Sequence, residues 1–338
     1  MQTKPSVSPT RLLQFAWGFA VPLIIDAAIR HRLFDALDKG PRTAAALASE
    51  AAISERGARA VLNALTSVEL LRKDAEGRYS LTPESAHFLI STRPSFLGGS
   101  FRHATAQLMP RWLALNEIVG TGRPAPYADS DAGRAAHFQE FVEDLLPLSY
   151  PAAQALADAL VAEAGEAPMR VLDVAAGSGV WGVALAERSP RVRVTAVDWP
   201  QVLDVTLSVA RRFGVGDQVE TRAGDVFEID LGGDHQVAVL GHILHSVGES
   251  RSRALLAKVH QAPRPAARSR LRNSWWTRRA PPKTGSLIFA VNMLVNTEEG
   301  DTYSFPEIAA WLKEAGFENV RTMEAPGPAP LILANRAR

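Results

Sequence analysis

Apolar residues run along several sides of the stretch 10–38, from Leu12 to Leu37, with small residues such as Gly18, Ala20, Ala27 and Ala28 among them. The pattern predicts one long helix that needs burial on more than one face, as a subunit interface provides. Two shorter helical patterns follow, one opening at Thr43 and one at 54–65, where Ser54 stands as N-cap. Leu70 to Leu81 then alternates about Glu76-Gly77 and predicts a hairpin. Helix, helix, hairpin is a winged-helix order. Residues 96–160 read as a helical connector rich in aromatics, Trp112 and Tyr150 among them. From about 168 the rhythm changes. Strand patterns at 169–174, 192–198, 218–222 and 236–241, the third of them polar, alternate with helical patterns at 181–188, 200–213 and 249–260. Such βα alternation predicts a parallel, doubly wound sheet.

The rhythm fails once. Residues 262–284 carry seven basic side chains (Arg264, Arg268, Arg270, Arg272, Arg278, Arg279 and Lys283) and no acidic one. The chain as a whole is +1; without these seven charges it would be −6. A central parallel strand should be a continuous apolar run, so this segment is expected to lack a proper fifth strand. An inserted basic loop for an anionic partner and a disordered surface loop are two readings. The genetic code offers a third. Tryptophan has the single codon TGG, so Trp275-Trp276-Thr277 moved back one base ends in Val-Asp. One choice of codons for 268–274 extends that phrase into an apolar strand carrying a glutamate. The reading favoured here is a pair of compensating frame changes, one shortly before Arg268 and one between about 277 and 286.

Composition narrows the classes. The 338 residues suffice for two domains. With no cysteine there is neither a disulfide framework nor thiol catalysis. The opening Met1-Gln-Thr-Lys-Pro lacks the order of a signal peptide. The apolar run Phe15 to Ile29 is short and interrupted by Asp26, so no membrane span is expected. A cytoplasmic protein is the expectation. A net charge of +1 sets up no field for nucleic acid, and no His, Asp or Glu cluster has metal-ligand spacing.

The candidate chemistry sits in Val171-Leu-Asp-Val-Ala-Ala-Gly-Ser-Gly-Val-Trp-Gly182. An apolar run ends in Asp173, glycines follow at Gly177 and Gly179, and a helix begins. This is the strand–turn–helix shape that brings backbone against a cofactor. A second run ends about twenty residues later in Asp198, suited to ribose hydroxyls. The spacing Gly177-x-Gly179-x-x-Gly182 also fits a dinucleotide fold, but a carboxylate at Asp173 would repel a pyrophosphate. It suits a cofactor with a cationic, amino-acid-like end.

Asp173-x-Ala-x-Gly-Ser-Gly resembles the S-adenosylmethionine motif of class I methyltransferases. Val197-Asp198-Trp199-Pro200-Gln201-Val202 and Gly224-Asp225-Val226-Phe227 resemble the acidic-loop and adenine-site phrases of the small-molecule O-methyltransferases. Ile243-Leu244-His245 resembles the segment with their catalytic histidine, and Asn292-Met293-Leu294 and Trp311 to Phe317 match in order and spacing. The resemblance covers nearly the whole chain. It implies an α/β fold with a Rossmann-like class I methyltransferase sheet, preceded by an α-helical winged-helix dimerisation domain. The implied parts are 1–95 for dimerisation, 96–160 as a connector contributing to the substrate pocket, and 161–338 as the catalytic domain. A homodimer through the N-terminal helices and closing antiparallel strands in 318–335 are implied as well.

The resemblance also implies roles. Asp173, Gly177 and Gly179 would meet the amino-acid end of S-adenosylmethionine and Asp198 its ribose, with Trp199, Asp225, Val226 and Phe227 around the adenine. The plainer reading of Asp225 is a helix N-cap. His245 would be the general base for a hydroxyl on a small, aromatic or polyketide-like acceptor; His242 does not match that position. Trp112 and Met293 are pocket candidates, though a core position is the commoner fate of such residues. Three departures stand out. Ser246-Val247 follow the histidine where the family has Asp-Trp, the family glutamate that orients the base at the end of the fifth strand is missing, and a second family glutamate falls on Thr302. The alternatives are a cofactor-binding homologue with lost or altered chemistry, a winged-helix ligand-sensing regulator, and, more distantly, an NAD oxidoreductase.

Overall fold

The computed structural model describes residues 7–124, 141–262, 270–274, 284–327 and 329–336. The chain divides into two compact units, residues 1–110 and 111–338. Residues 125–140 of the expected connector and most of the basic segment 262–284 lie outside the described residues.

In the first unit the expected long helix is three: α1 (Thr10–Ala16), α2 (Ala20–Arg30) and α3 (Leu33–Leu37). Two local causes explain the breaks. Pro22 has no N–H, and its ring would strike a carbonyl one turn earlier, so it belongs in the first turn of a new helix. Arg32 then adopts a left-handed φ of 55°, which turns the chain between α2 and α3. α1 has no buried residue, and Leu12, Leu13, Phe15, Trp17 and Phe19 are between 57% and 70% exposed. Strand β1 (Arg42–Thr43), α4 (Ala44–Glu50) and α5 (Glu55–Ser67) follow. Ser54 caps α5, its side chain accepting from the Gly57 N–H. β2 (Leu71–Lys73) and β3 (Arg78–Leu81) form the hairpin, and β1 joins the outer edge of β3. Leu47, Leu62, Leu65 and Tyr79 are buried in this unit's core.

The second unit opens its α/β part with α6 (Leu146–Ala164). Then come β4 (Met169–Val174), α7 (Val180–Arg188), β5 (Val192–Asp198), α8 (Pro200–Arg212), β6 (Val219–Ala223), β7 (Val237–Gly241) and α9 (Leu244–Gln261). β8 (Arg270–Ser274), α10 (Thr284–Asn296), α11 (Phe305–Glu314), β9 (Phe317–Met323) and β10 (Leu331–Arg336) complete it. The sheet order is β6-β5-β4-β7-β8-β10-β9. The first five strands are parallel, and β10 runs antiparallel to both of its neighbours, β8 and β9. α9 begins earlier than its pattern predicts and is interrupted at Gly248, where φ is 77°.

β8 corrects one expectation. A fifth parallel strand is present, with the sequence Arg-Leu-Arg-Asn-Ser, between β7 and β10. Its ladder is made by backbone groups, which any residue supplies, so a polar sequence does not prevent pairing. Apolar layers cover both sides of the sheet: Val171, Val194 and Leu185 on one, Leu172, Leu240 and Leu256 on the other. The strand order reverses beside β4. The cleft above the carboxyl ends of β4 and β7 is therefore where a doubly wound sheet takes its ligand. Among the described residues no single helix is long and apolar enough to cross a membrane; the bent pair α1 and α2 reaches that composition only together.

Candidate active site

Two aspartates organise the carboxyl edge. Asp173, at the end of β4, is fully buried. Its Oδ2 accepts from the Gly182 N–H at 3.0 Å, and its Oδ1 has no hydrogen-bond partner. Burial pushes its pKa up to about 7; the Gly182 hydrogen bond works against this and the charge of Asp198 adds to it. Asp198, at the end of β5, is also buried. It accepts from the Gly177 N–H at 2.9 Å and the Trp199 N–H at 2.7 Å. Its pKa is raised by burial, against those two bonds.

The loop between them needs its glycines. Gly179 has φ 72°, and a Cβ there would lie 2.6 Å from Cγ2 of Thr206. Thr206 in turn donates to the Gly177 carbonyl at 2.7 Å. At Gly182 a Cβ would come within 2.6 Å of Val194 and 3.0 Å of the Asp173 carboxylate. The helix thus approaches β4 closely enough for its N–H to hold Asp173.

The flanking phrase after β6 forms a turn instead of opening a helix. Asp225 Oδ1 accepts from the Phe227 N–H at 2.9 Å, an Asx-turn rather than an N-cap. Val226 is buried. The Phe227 ring carries the Arg251 guanidinium, 4.0 Å from its centroid. Trp199 is 53% exposed beside Asp198.

Past β7 two histidines stand side by side. His242 has a left-handed φ of 62°. Its Nε2 lies 3.3 Å from the Ser149 hydroxyl, and its ring is 6.3 Å from that of Trp181 and 5.9 Å from that of His245. The His245 ring meets Phe289 edge-on at 5.1 Å, and its carbonyl accepts from the Asp301 N–H at 3.0 Å. Both residues are half-buried, and protein crowds their rings. Desolvation therefore lowers His242 to about 4 and, with a contribution from His242, His245 to about 3. Trp112 donates from Nε1 to Asn292 Oδ1 at 3.0 Å, one residue from Met293. Met293 is buried. Thr302 is buried too, with its Oγ1 unpartnered.

Sequence reasoning did not single out Ser149, Thr206, Arg251 or Phe289. Ser149 lies 93 residues from the histidine it contacts, and nothing in its local pattern marks it. Among the described residues no group of His, Asp or Glu side chains could hold a metal ion.

The site has the parts of a class I methyltransferase: a glycine loop, acidic residues ending two adjacent strands, and a pair of histidines just past a third. Residues 13–91 match the O-methyltransferase dimerisation domain and residues 126–318 the O-methyltransferase domain. The chain belongs to the S-adenosylmethionine-dependent O-methyltransferase family and is an enzyme of that class. It is similar to the tetracenomycin polyketide synthesis 8-O-methyl transferase TcmO of Streptomyces glaucescens, 29% identical across 98% of this chain and 97% of that one. It is also similar to 3-hydroxy-5-methyl-1-naphthoate 3-O-methyltransferase of Streptomyces sahachiroi, 30% identical across 95% and 92%. In fold it is like human N-acetylserotonin methyltransferase, solved in complex with SAM, with a TM-score of 0.84 at 20% identity and full coverage of both chains.

Proposed function

We propose that this enzyme methylates a hydroxyl of a small aromatic, polyketide-like molecule, with His245 as the general base. S-adenosylmethionine, when bound, supplies a methyl group on a cationic sulfur. The residues present fit that cofactor. The unpartnered Oδ1 of Asp173 is a buried acceptor suited to an ammonium group, and the Gly177–Gly179 loop leaves room for a close backbone approach. Asp198 takes the ribose hydroxyls. Asp225 and Val226 line the adenine with Phe227, and the exposed Trp199 indole offers a further stacking face.

The observation that carries the acceptor side is the position of His245. It sits one short turn beyond β7, at the carboxyl edge of the sheet, with Phe289 and His242 as ring neighbours. There it would hold the acceptor hydroxyl and take its proton as the oxygen attacks. Trp112 and Met293 would border the pocket. The printed names of the two Streptomyces relatives, acting in polyketide synthesis and on a naphthoate, support the acceptor class. The dimerisation domain and the apolar exposure of α1 support a homodimer through the N-terminal helices.

The test is methyl transfer to a panel of phenols and naphthols by the parent and His245→Asn, with S-adenosylhomocysteine titrated calorimetrically into both. Equal binding with transfer lowered ~10²- to 10⁴-fold supports the base. Unchanged transfer removes that role. A second reading, a cofactor-binding homologue with altered chemistry, is favoured by one observation. Thr302, where the resemblance places a glutamate, is buried with its Oγ1 unpartnered and carries no charge. Tight binding of S-adenosylhomocysteine without transfer to any hydroxyl would select it.

A further inference from the structure

His245 sits on a single turn of helix that does not hold itself. α9 is broken at Gly248, where φ is 77°, so only Leu244 to Val247 precede the break. A helical turn gains its stability from the turns that continue it, and a break leaves carbonyls without the N–H groups one turn on. Two carbonyls of this turn are answered from elsewhere. The hydroxyl of Ser252, buried beyond the break, donates to the Leu244 carbonyl at 3.0 Å. The Asp301 N–H, from the segment after α10, donates to the His245 carbonyl at 3.0 Å.

That segment is shaped to reach the turn. Thr297 closes α10: its hydroxyl donates to the Met293 carbonyl at 2.7 Å and accepts from the Gly300 N–H at 2.9 Å. Gly300 then passes so close that a Cβ on it would lie 2.5 Å from the His245 carbonyl oxygen. A Cβ at Gly248 would likewise lie 2.7 Å from Cβ of Glu299. Two glycines thus let the segment and the turn approach where side chains would hold them apart.

We propose that Thr297, Gly300 and Ser252 are positioning residues for His245, forming with the Asp301 N–H a clasp that fixes the base from the end of α10. This rests on the reading of His245 as the general base. The clasp bonds to the backbone of the turn and leaves the strand ends that carry Asp173 and Asp198 alone. Loosening it should therefore slow the proton transfer, which depends on placement, and spare cofactor binding.

The full chain is compared as parent, Thr297→Val, Thr297→Ser, Gly300→Ala, His245→Asn and the double variant of Thr297→Val with His245→Asn. Methyl transfer is measured over the phenol and naphthol panel, S-adenosylhomocysteine affinity by calorimetry, and amide exchange of 243–247 by mass spectrometry. Thr297→Val and Gly300→Ala should lower kcat about 10- to 100-fold. KM for S-adenosylmethionine and S-adenosylhomocysteine affinity should stay unchanged, with faster exchange of 243–247. Thr297→Ser keeps the hydroxyl and should keep the parental kcat. In the His245→Asn background Thr297→Val should have no further effect, because it acts through the base. Parental kcat in Thr297→Val and Gly300→Ala, a full loss added on top of that of His245→Asn, or a Thr297→Ser as slow as Thr297→Val overturns the proposal. So does a loss of cofactor affinity with a Tm several degrees lower in Thr297→Val, which would make the residue structural. If His245→Asn is slow while both clasp variants run at the parental rate, the base stands and only the clasp falls. If His245→Asn runs at the parental rate, or the parent transfers to no member of the panel, the base reading falls and the clasp with it.

Discussion

Asp173→Asn is expected to stabilise the free protein and disable it for its cofactor. The aspartate has a pKa of about 7 in the fold against 3.8 for the model compound, and desolvation is the main cause. The sign follows from proton counting. Below pH 4 both states hold the proton. Between about 4 and 7 the folded state holds it and the unfolded state does not, so stability falls as pH rises through that window and stays low above it. The full penalty is ~4 kcal/mol at 1.36 kcal/mol per unit, of which ~2 to 3 develops between pH 5 and 8. Asparagine keeps an acceptor for the Gly182 N–H and carries no charge. The assay is urea unfolding of parent and variant at pH 5, 6, 7 and 8, taking the difference at each pH so that other titrating groups cancel. The variant's advantage should grow by ~2 to 3 kcal/mol across the series. S-adenosylhomocysteine, whose ammonium loses its buried counter-charge, should bind ~100-fold more weakly. A difference independent of pH, or undiminished binding, would refute the reasoning.

Gly182→Ala inserts a methyl 2.6 Å from Val194 and 3.0 Å from the Asp173 carboxylate, and should cost ~1 to 3 kcal/mol in chemical denaturation; a Tm within a degree of the parent's would contradict the close approach. His242 and His245, lowered to about 4 and about 3 by desolvation, stay neutral in the fold while the unfolded chain protonates. Stability is therefore full above about pH 6.5 and declines as pH falls towards 4, and thermal unfolding of His245→Asn should show a shallower acid slope than the parent. Trp17→Ser with Phe19→Ser removes exposed apolar surface from the N-terminal arm and should move sedimentation from dimer towards monomer, an unchanged size arguing for another interface. Arg270→Ile with Arg272→Val should raise Tm, because the interior strand they belong to is paired on both sides and such strands favour apolar residues. Sequencing the DNA across 262–286 tests directly whether a neighbouring frame holds that apolar strand.

The sheet was legible because its central strands β4, β5 and β7 are short apolar runs set off by turn residues from longer helical patterns, so that length and spacing separate the two. Asp173 and Asp198 could be read as the ends of strands, and the glycines between them as a turn. What lies behind them was not legible. That Asp198 grips the Gly177 N–H, or that Asp173 keeps an orphan oxygen, depends on the distance between neighbouring strand ends, which no single stretch encodes. The N-terminal helix was misjudged as one because apolar continuity outweighed Pro22 in the reading; the missing N–H decides otherwise. β8 was missed because side-chain character was used to judge a pairing that backbone groups make. His242 was visible, but its backbone angle and its contacts with distant Ser149 and Trp181 were not.

The grip of Asp198 on the loop has a consequence for how the cofactor arrives. One carboxylate already ties the Gly177 amide to the start of the next helix, so the loop has its working shape before any ligand comes near. Little chain ordering remains to oppose binding. The heat-capacity change on binding should then follow the ligand's own buried surface and carry no component from folding of the loop. Capture would resemble filling a mould that is already cast, with access to the cleft, and not rearrangement of the loop, setting the rate.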